Sequence, residues 1–188
     1  MVVMTSLHTG PPRGTALTAY AVAHMMESGQ LDERHELIDG VLIEMPAPSH
    51  EHQFVQAALL KLFFAVETKN VRVLAAPFDI LSEDTAVQPD IVVIRRSRVT
   101  TQYLEEIPLL AVEILSPSTA LRDLNTKFKR YERAGIPSYW VVDPIELRLV
   151  AWELHGDRYA EVADIGPESE WTSTQPFEVT IRPTELID

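Results

Sequence analysis

The chain has 188 residues, 46% hydrophobic and 23% charged, which suits one buried core in a soluble globular protein. No apolar run approaches the roughly 18 residues that cross a bilayer, and the absence of cysteine rules out disulfides and thiolate metal sites and fits a reducing cytoplasm. A formal charge of −12 opposes any broad electrostatic grip on nucleic acid, because neutralising phosphates takes Lys and Arg.

Met1 to Gly14 has no lysine and no apolar core ahead of a small-residue cleavage site, so it reads as a flexible leader, with residues 15–188 forming one domain. Thr15 to Ser28 is rich in Ala and Met and closes at Gly29, which predicts a first helix. Asp39-Gly40 between the apolar runs Glu36–Ile38 and Val41–Ile43 predicts a hairpin with a primed turn. Ser49 caps a second helix, whose Val55, Ala58, Leu59, Leu62, Phe63 and Val66 recur at three and four residues and form one buried face. Strands follow at Val71–Ala75 and Phe78–Leu81. The short apolar runs Ile91–Ile94 and Leu109–Leu115 lack alternation, as strands covered on both faces do.

Ser118 or Thr119 starts a third helix with the stripe Leu121, Leu124, Phe128 and Tyr131, and Ala134-Gly135 and Pro137 end it. Tyr139–Val142 forms a further strand, with Tyr139 and Trp140 in the core, and Asp143-Pro144 closes it through a turn. Leu147–Leu154 and Arg158–Val162 flank a second hairpin, and Phe177–Ile181 adds an edge strand. The order predicts an α/β sheet core with extra β elements.

Two acids break apolar strands. Asp90 stands just before Ile91–Ile94, and Glu113 lies inside Ala111–Leu115, where an unpaired carboxylate costs several kcal/mol, roughly, and calls for a cation. Mg²⁺ prefers oxygen ligands and keeps several waters, so two carboxylates and a backbone carbonyl leave positions for a phosphate and an attacking water. Lys127 lies four residues from both Asp123 and Tyr131 on one helix face, while Lys129 turns away by about 200°. Read singly, each acid serves equally well as a turn cap, and Lys127 as the partner of Asp123 in a helix pair worth a few tenths of a kcal/mol, roughly. Asp79 reads as structural. Despite the overall charge, five basic residues fall between Arg122 and Arg133, and Arg95, Arg96 and Arg98 make a second basic patch.

Taken together, Glu36-Leu37-Ile38-Asp39-Gly40, Pro89-Asp90, Val112 to Ser118, Asp123-xxx-Lys127-xxx-Tyr131 and Gly135 to Pro144 resemble the bacterial family labelled "putative restriction endonuclease", of the PD-(D/E)XK nuclease superfamily. The resemblance runs in order from about residue 31 to the C-terminus. It implies a restriction-endonuclease-like α/β core, a central mixed four-stranded sheet flanked by helices, here with additional β-hairpins. It also implies Mg²⁺, or Mn²⁺ in its place, held by Asp90, Glu113 and the carbonyl of Ile114, and hydrolysis of phosphodiester bonds in DNA. The chain departs from the superfamily at Leu115, where the motif's lysine usually stands; the family's helix motif matches Lys127, which takes that role. Glu36, His52, Asp123 and Tyr131 are accessory candidates, although His52 equally suits a helix-start residue bonded to backbone. A homodimer is expected, both to cut two strands and to cover exposed Trp and Val strands. A catalytically silent scaffold that binds nucleic acid or protein is the alternative, supported by the charge of −12 and the displaced lysine; a small-molecule phosphodiesterase is a third.

Overall fold

Apolar spacing in the second helix and unbroken apolar runs in the central strands decide the layering. A computed structural model describes residues 17–96, 106–116, 120 and 122–187. The proposed leader, the Ser118 and Thr119 caps, Leu121 and Arg98 lie outside the described residues.

Helix α1 spans Ala19–Glu27; it begins later than Thr15 because Thr18 is its cap, with Oγ1 accepting from the Ala21 amide at 3.2 Å. Asp39 and Gly40 both take positive φ, 52° and 76°, as a type I′ turn requires, and fold β1 (His35–Ile38) onto β2 (Val41–Glu44). Helix α2 (His50–Val66) starts at the Ser49 cap and turns Val55, Leu59 and Phe63 inward. After it come β3 (Val71–Ala75), β4 (Asp79–Ser82), β5 (Thr85–Val87), β6 (Ile91–Arg95) and β7 (Leu110–Ile114). A π-helical segment, Arg122–Lys127, leads into α3 (Phe128–Ala134), which Gly135 ends in the left-handed conformation at φ 82°. The chain closes with β8 (Ser138–Asp143), β9 (Arg148–His155), β10 (Arg158–Ile165), β11 (Trp171–Ser173), β12 (Val179–Ile181) and a 3-10 turn over Pro183–Leu186.

The central sheet has six strands in the order β10-β9-β8-β7-β6-β3, not the expected four. The count was low because the β9–β10 hairpin does not stand apart: β9 pairs antiparallel along the whole of β8 and extends the sheet. Only β7 and β8 run parallel, joined through α3, so the sheet is mixed. A second sheet, β2-β1-β5-β4, contains β4, which begins one residue later than the expected Phe78–Leu81, and the short β5, which three residues were too few to signal. The expected edge strand at Phe177–Ile181 pairs only with β11, outside the central sheet.

Alternation along β6, β7 and β8 separates two apolar layers. Ile91, Val93, Leu110, Val112, Ile114, Trp140 and Val142 pack on one side with Val55, Leu59 and Phe63 of α2. Ala111, Tyr139 and Val141 face Tyr131 of α3, together with Ile38 and Val87 from the second sheet. Glu113 therefore points into the second layer, under α3. Trp140 is buried, and Trp152 and Trp171 are partly so, which removes exposed tryptophan strands as an argument for a dimer. Asp143 does close β8, accepting from the amides of Ile145 at 2.9 Å and Glu146 at 3.0 Å.

Candidate active site

Strand register brings the acids together before any side-chain contact is counted. Strands β6 and β7 run antiparallel with Ile91 opposite Val112, so one further step along this register sets Asp90 across from Glu113. Asp90 is held at both carboxylate oxygens. Its Oδ2 accepts from the Ile114 amide at 2.7 Å, and its Oδ1 lies 3.1 Å from His52 Nε2. The Asp90 carbonyl accepts from Gln56 Nε2 at 2.8 Å and from the Ala76 amide at 3.0 Å, which pins the backbone as well.

Glu113 is 3% exposed, and its Oε1 accepts from Lys127 Nζ at 2.9 Å and from the Tyr131 hydroxyl at 2.5 Å. Lys127 is itself 1% exposed. Its ammonium also sits 2.7 Å from Glu36 Oε1 and 3.7 Å from Asp123 Oδ1. Glu36 is fully buried; Oε1 accepts from the Gln88 amide at 2.8 Å, while Oε2 has no hydrogen-bond partner. The Tyr139 hydroxyl donates to the carbonyl of Asp123 at 3.0 Å and supports the segment from below.

The electrostatics follow from this crowding. Burial works against the charge on Lys127, but Glu113, Glu36 and Asp123 outweigh it and hold the ammonium above its ordinary pKa. Burial pushes Glu113 well above the usual carboxylate range; Lys127 opposes the shift, and Asp123, Asp90 and Glu36 reinforce it. Burial likewise keeps the Tyr131 phenol neutral, as a donor to Glu113. Three carboxylates, Glu113, Glu36 and Asp123, thus lie on one ammonium with Asp90 close by, so acids outnumber cations in a buried setting.

All the sequence candidates fall into this one region. A cavity of about 200 Å³ is lined by His52, Asp90, Glu113, Ile114, Asp123 and Lys127, together with Arg34, Met45, Pro46 and Gln88. Glu36 and Tyr131 lie behind its wall and touch Lys127 and Glu113. His52 keeps its place at the helix start, where its amide donates to Ser49 Oγ at 3.3 Å, and its ring also meets Asp90, a tie that spans 38 positions and has no local sequence signal. Asp123 and Lys127 form more than a surface helix pair, since both are buried and share the ammonium with two strand acids. Gln56 and Gln88 were not singled out: the Gln56 side chain donates to a main-chain carbonyl and Gln88 donates its own main-chain amide to Glu36, and neither contact leaves a pattern in sequence.

Mg²⁺ takes oxygen ligands and retains waters. Asp90 and Glu113 line the cavity with hard oxygen donors beside Ile114, and acids outnumber cations there, a crowding that a divalent cation would relieve, so the residues fit the ion. Among the described residues no three His, Cys, Asp or Glu side chains are grouped to hold a metal by themselves.

A larger cavity of about 710 Å³ lies at the other end of β3 and β6, lined by Lys69, Arg95 and Arg96. Two of its cations are already paired, Arg96 with Glu67 at 2.9 Å and Arg95 with Glu106 at 3.7 Å. None of the described helices is long and apolar enough to cross a membrane.

Comparison with known proteins bears on the fold and the family. A search of curated proteins finds no match to this sequence. The crystal structure of a "putative nuclease" from Anabaena variabilis ATCC 29413 is similar, with a TM-score of 0.73 and 18% identity over 91% of this chain and 97% of that one. At that identity the likeness establishes a shared fold. The model of the family described as "Putative restriction endonuclease" matches residues 23–184, which takes in both strand acids, the helix lysine and the hairpin glutamate, and the chain belongs to that family.

Proposed function

We propose that this protein is a divalent-metal-dependent endonuclease that hydrolyses phosphodiester bonds in DNA. The observation that carries the proposal is the convergence of Asp90 and Glu113 on one cavity whose buried carboxylates outnumber its ammonium. Asp90, Glu113 and the carbonyl of Ile114 would hold Mg²⁺, with Mn²⁺ as a substitute. When bound, the ion supplies a polarised water and neutralises charge on the phosphate.

The chain's own residues do the positioning. The Ile114 amide and His52 fix the two oxygens of Asp90. Lys127 and Tyr131 fix Glu113 Oε1, leaving Oε2 as the oxygen for the cavity. Lys127 has almost no exposed surface, so it acts by orienting Glu113 and by adding positive potential to the wall where phosphate charge develops. A homodimer belongs to this proposal, since cleaving both strands of a duplex takes two such sites.

Plasmid DNA incubated with the purified protein and Mg²⁺ gives the test. Nicked or linear product is expected from the wild type, with Asp90→Ala and Glu113→Ala each lowering the rate by about 100-fold or more, the scale of losing a group that stabilises transition-state charge. Cleavage that both variants retain would overturn the assignment. A wild type that binds DNA and never cuts it would favour the scaffold reading, which the charge of −12 and Leu115 in the motif's lysine position support.

A further inference from the structure

The acid surplus that attracts a metal also repels the substrate, so some uncommitted cation has to hold the phosphodiester chain at the cavity mouth. Most of the chain's arginines are spoken for. Arg34, Arg95, Arg96, Arg130, Arg148, Arg158 and Arg182 each have a carboxylate partner within ion-pair distance. Among the other described arginines, Arg72 and Arg133 are exposed, and only Arg122 is half-buried without a carboxylate.

Arg122 stands one residue before Asp123, in the π-helical segment that carries Lys127. Its Nη1 lies 3.0 Å from the sulfur of Met45, a residue that lines the cavity and is itself only half-buried. A thioether is a weak acceptor, whereas a guanidinium carries five donors in a planar fork that matches phosphate oxygens. Half-burial takes some of its hydration away and the thioether returns little, so a phosphate would be a far better partner.

We infer that Arg122 is a substrate anchor: it leaves Met45 to bind a backbone phosphate beside the scissile one. The substrate class follows. It is a phosphodiester chain that continues past the cleaved bond, not a mononucleotide or a small diester, which has no neighbouring phosphate to offer. This inference rests on the nuclease reading of the adjacent cavity. Arg122 is a positioning residue, with no part in bond cleavage itself.

Fluorescence anisotropy with a labelled 12-nucleotide single-stranded DNA, in EDTA to prevent cleavage, tests the inference across a series of salt concentrations. Arg122→Ala should weaken binding about tenfold and reduce the slope of log affinity against log salt by about one ion's worth, as expected for one lost phosphate contact. Arg122→Lys should restore the slope but only part of the affinity, because a point charge lacks the fork. Met45→Leu should leave the slope unchanged. Thermal melting of Arg122→Ala close to that of the wild type excludes misfolding as the cause. If Arg122→Ala binds with wild-type affinity and slope while the wild type cuts plasmid, the anchor is wrong and the nuclease reading stands. If the wild type neither binds the oligonucleotide nor cuts plasmid, both fall.

Discussion

Asp79 shows what an isolated buried acid looks like when no chemistry surrounds it. It is 1% exposed on β4, its Oδ2 has no hydrogen-bond partner, and burial raises its pKa to about 8. Between about pH 4 and pH 8 the folded chain therefore keeps a proton that the unfolded chain has released, so this group's contribution to stability falls as pH rises and the full cost is felt above pH 8. Asp79→Asn should remove that slope. Urea midpoints at pH 5 and pH 8.5 should show the variant gaining on the wild type by on the order of 1 kcal/mol or more, and a constant difference would show that Asp79 is not protonated in the fold. Glu113 is the instructive contrast, equally buried but held by Lys127 and Tyr131. That difference was partly legible in the sequence: an acid inside Ala111–Leu115 demands a cation, and the helix spacing of Lys127 offered one. His52 was singled out only through the family resemblance, and its contact with Asp90, like that of the Gln88 amide with Glu36, was not legible, since each joins segments far apart in the chain.

At the scale of elements, the π-helical segment is the feature that local periodicity cannot reveal. Residues Asp123 and Lys127 lie four apart, as in an α-helix, yet they occupy a wider turn before α3 begins at Phe128. π turns often mark functional positions, because the extra residue re-aims side chains relative to the helix that follows. Here the segment delivers Asp123 and Lys127 to the strand acids while Tyr131, in regular helix, reaches Glu113 from the next turn. Deleting Thr126 should convert the segment toward α-helix and rotate the residues before it by about 100° relative to α3, parting Asp123 from the cluster. Plasmid cleavage should drop at least about tenfold while the far-UV helical signal persists. Undiminished cleavage would show that the wider turn is incidental. The β1–β2 hairpin, by contrast, was legible from Asp39-Gly40 alone, because few residue pairs accept positive φ twice in succession. Strand β5 was hidden: three residues carry too little pattern to register.

For the whole molecule, the sequence pointed to the α/β class and the family, and understated the sheet. Near-continuous apolar runs marked β6 and β7 as central, whereas the union of β8 with the β9–β10 hairpin follows from tertiary pairing that no window of sequence contains. The charge of −12 also takes on a different meaning in three dimensions. Most of the described arginines have a local acid partner, and the carboxylates gathered on Lys127 become the dominant electrostatic feature of the cavity. A protein organised this way should bind a divalent cation at this cavity whether or not DNA is present. Titration of the intact protein with Mn²⁺, followed by the electron paramagnetic resonance signal of the free ion, tests this most directly. The account predicts a saturable site on the wild type that is lost in both Asp90→Ala and Glu113→Ala; no binding by the wild type, or binding that both variants retain, would contradict it.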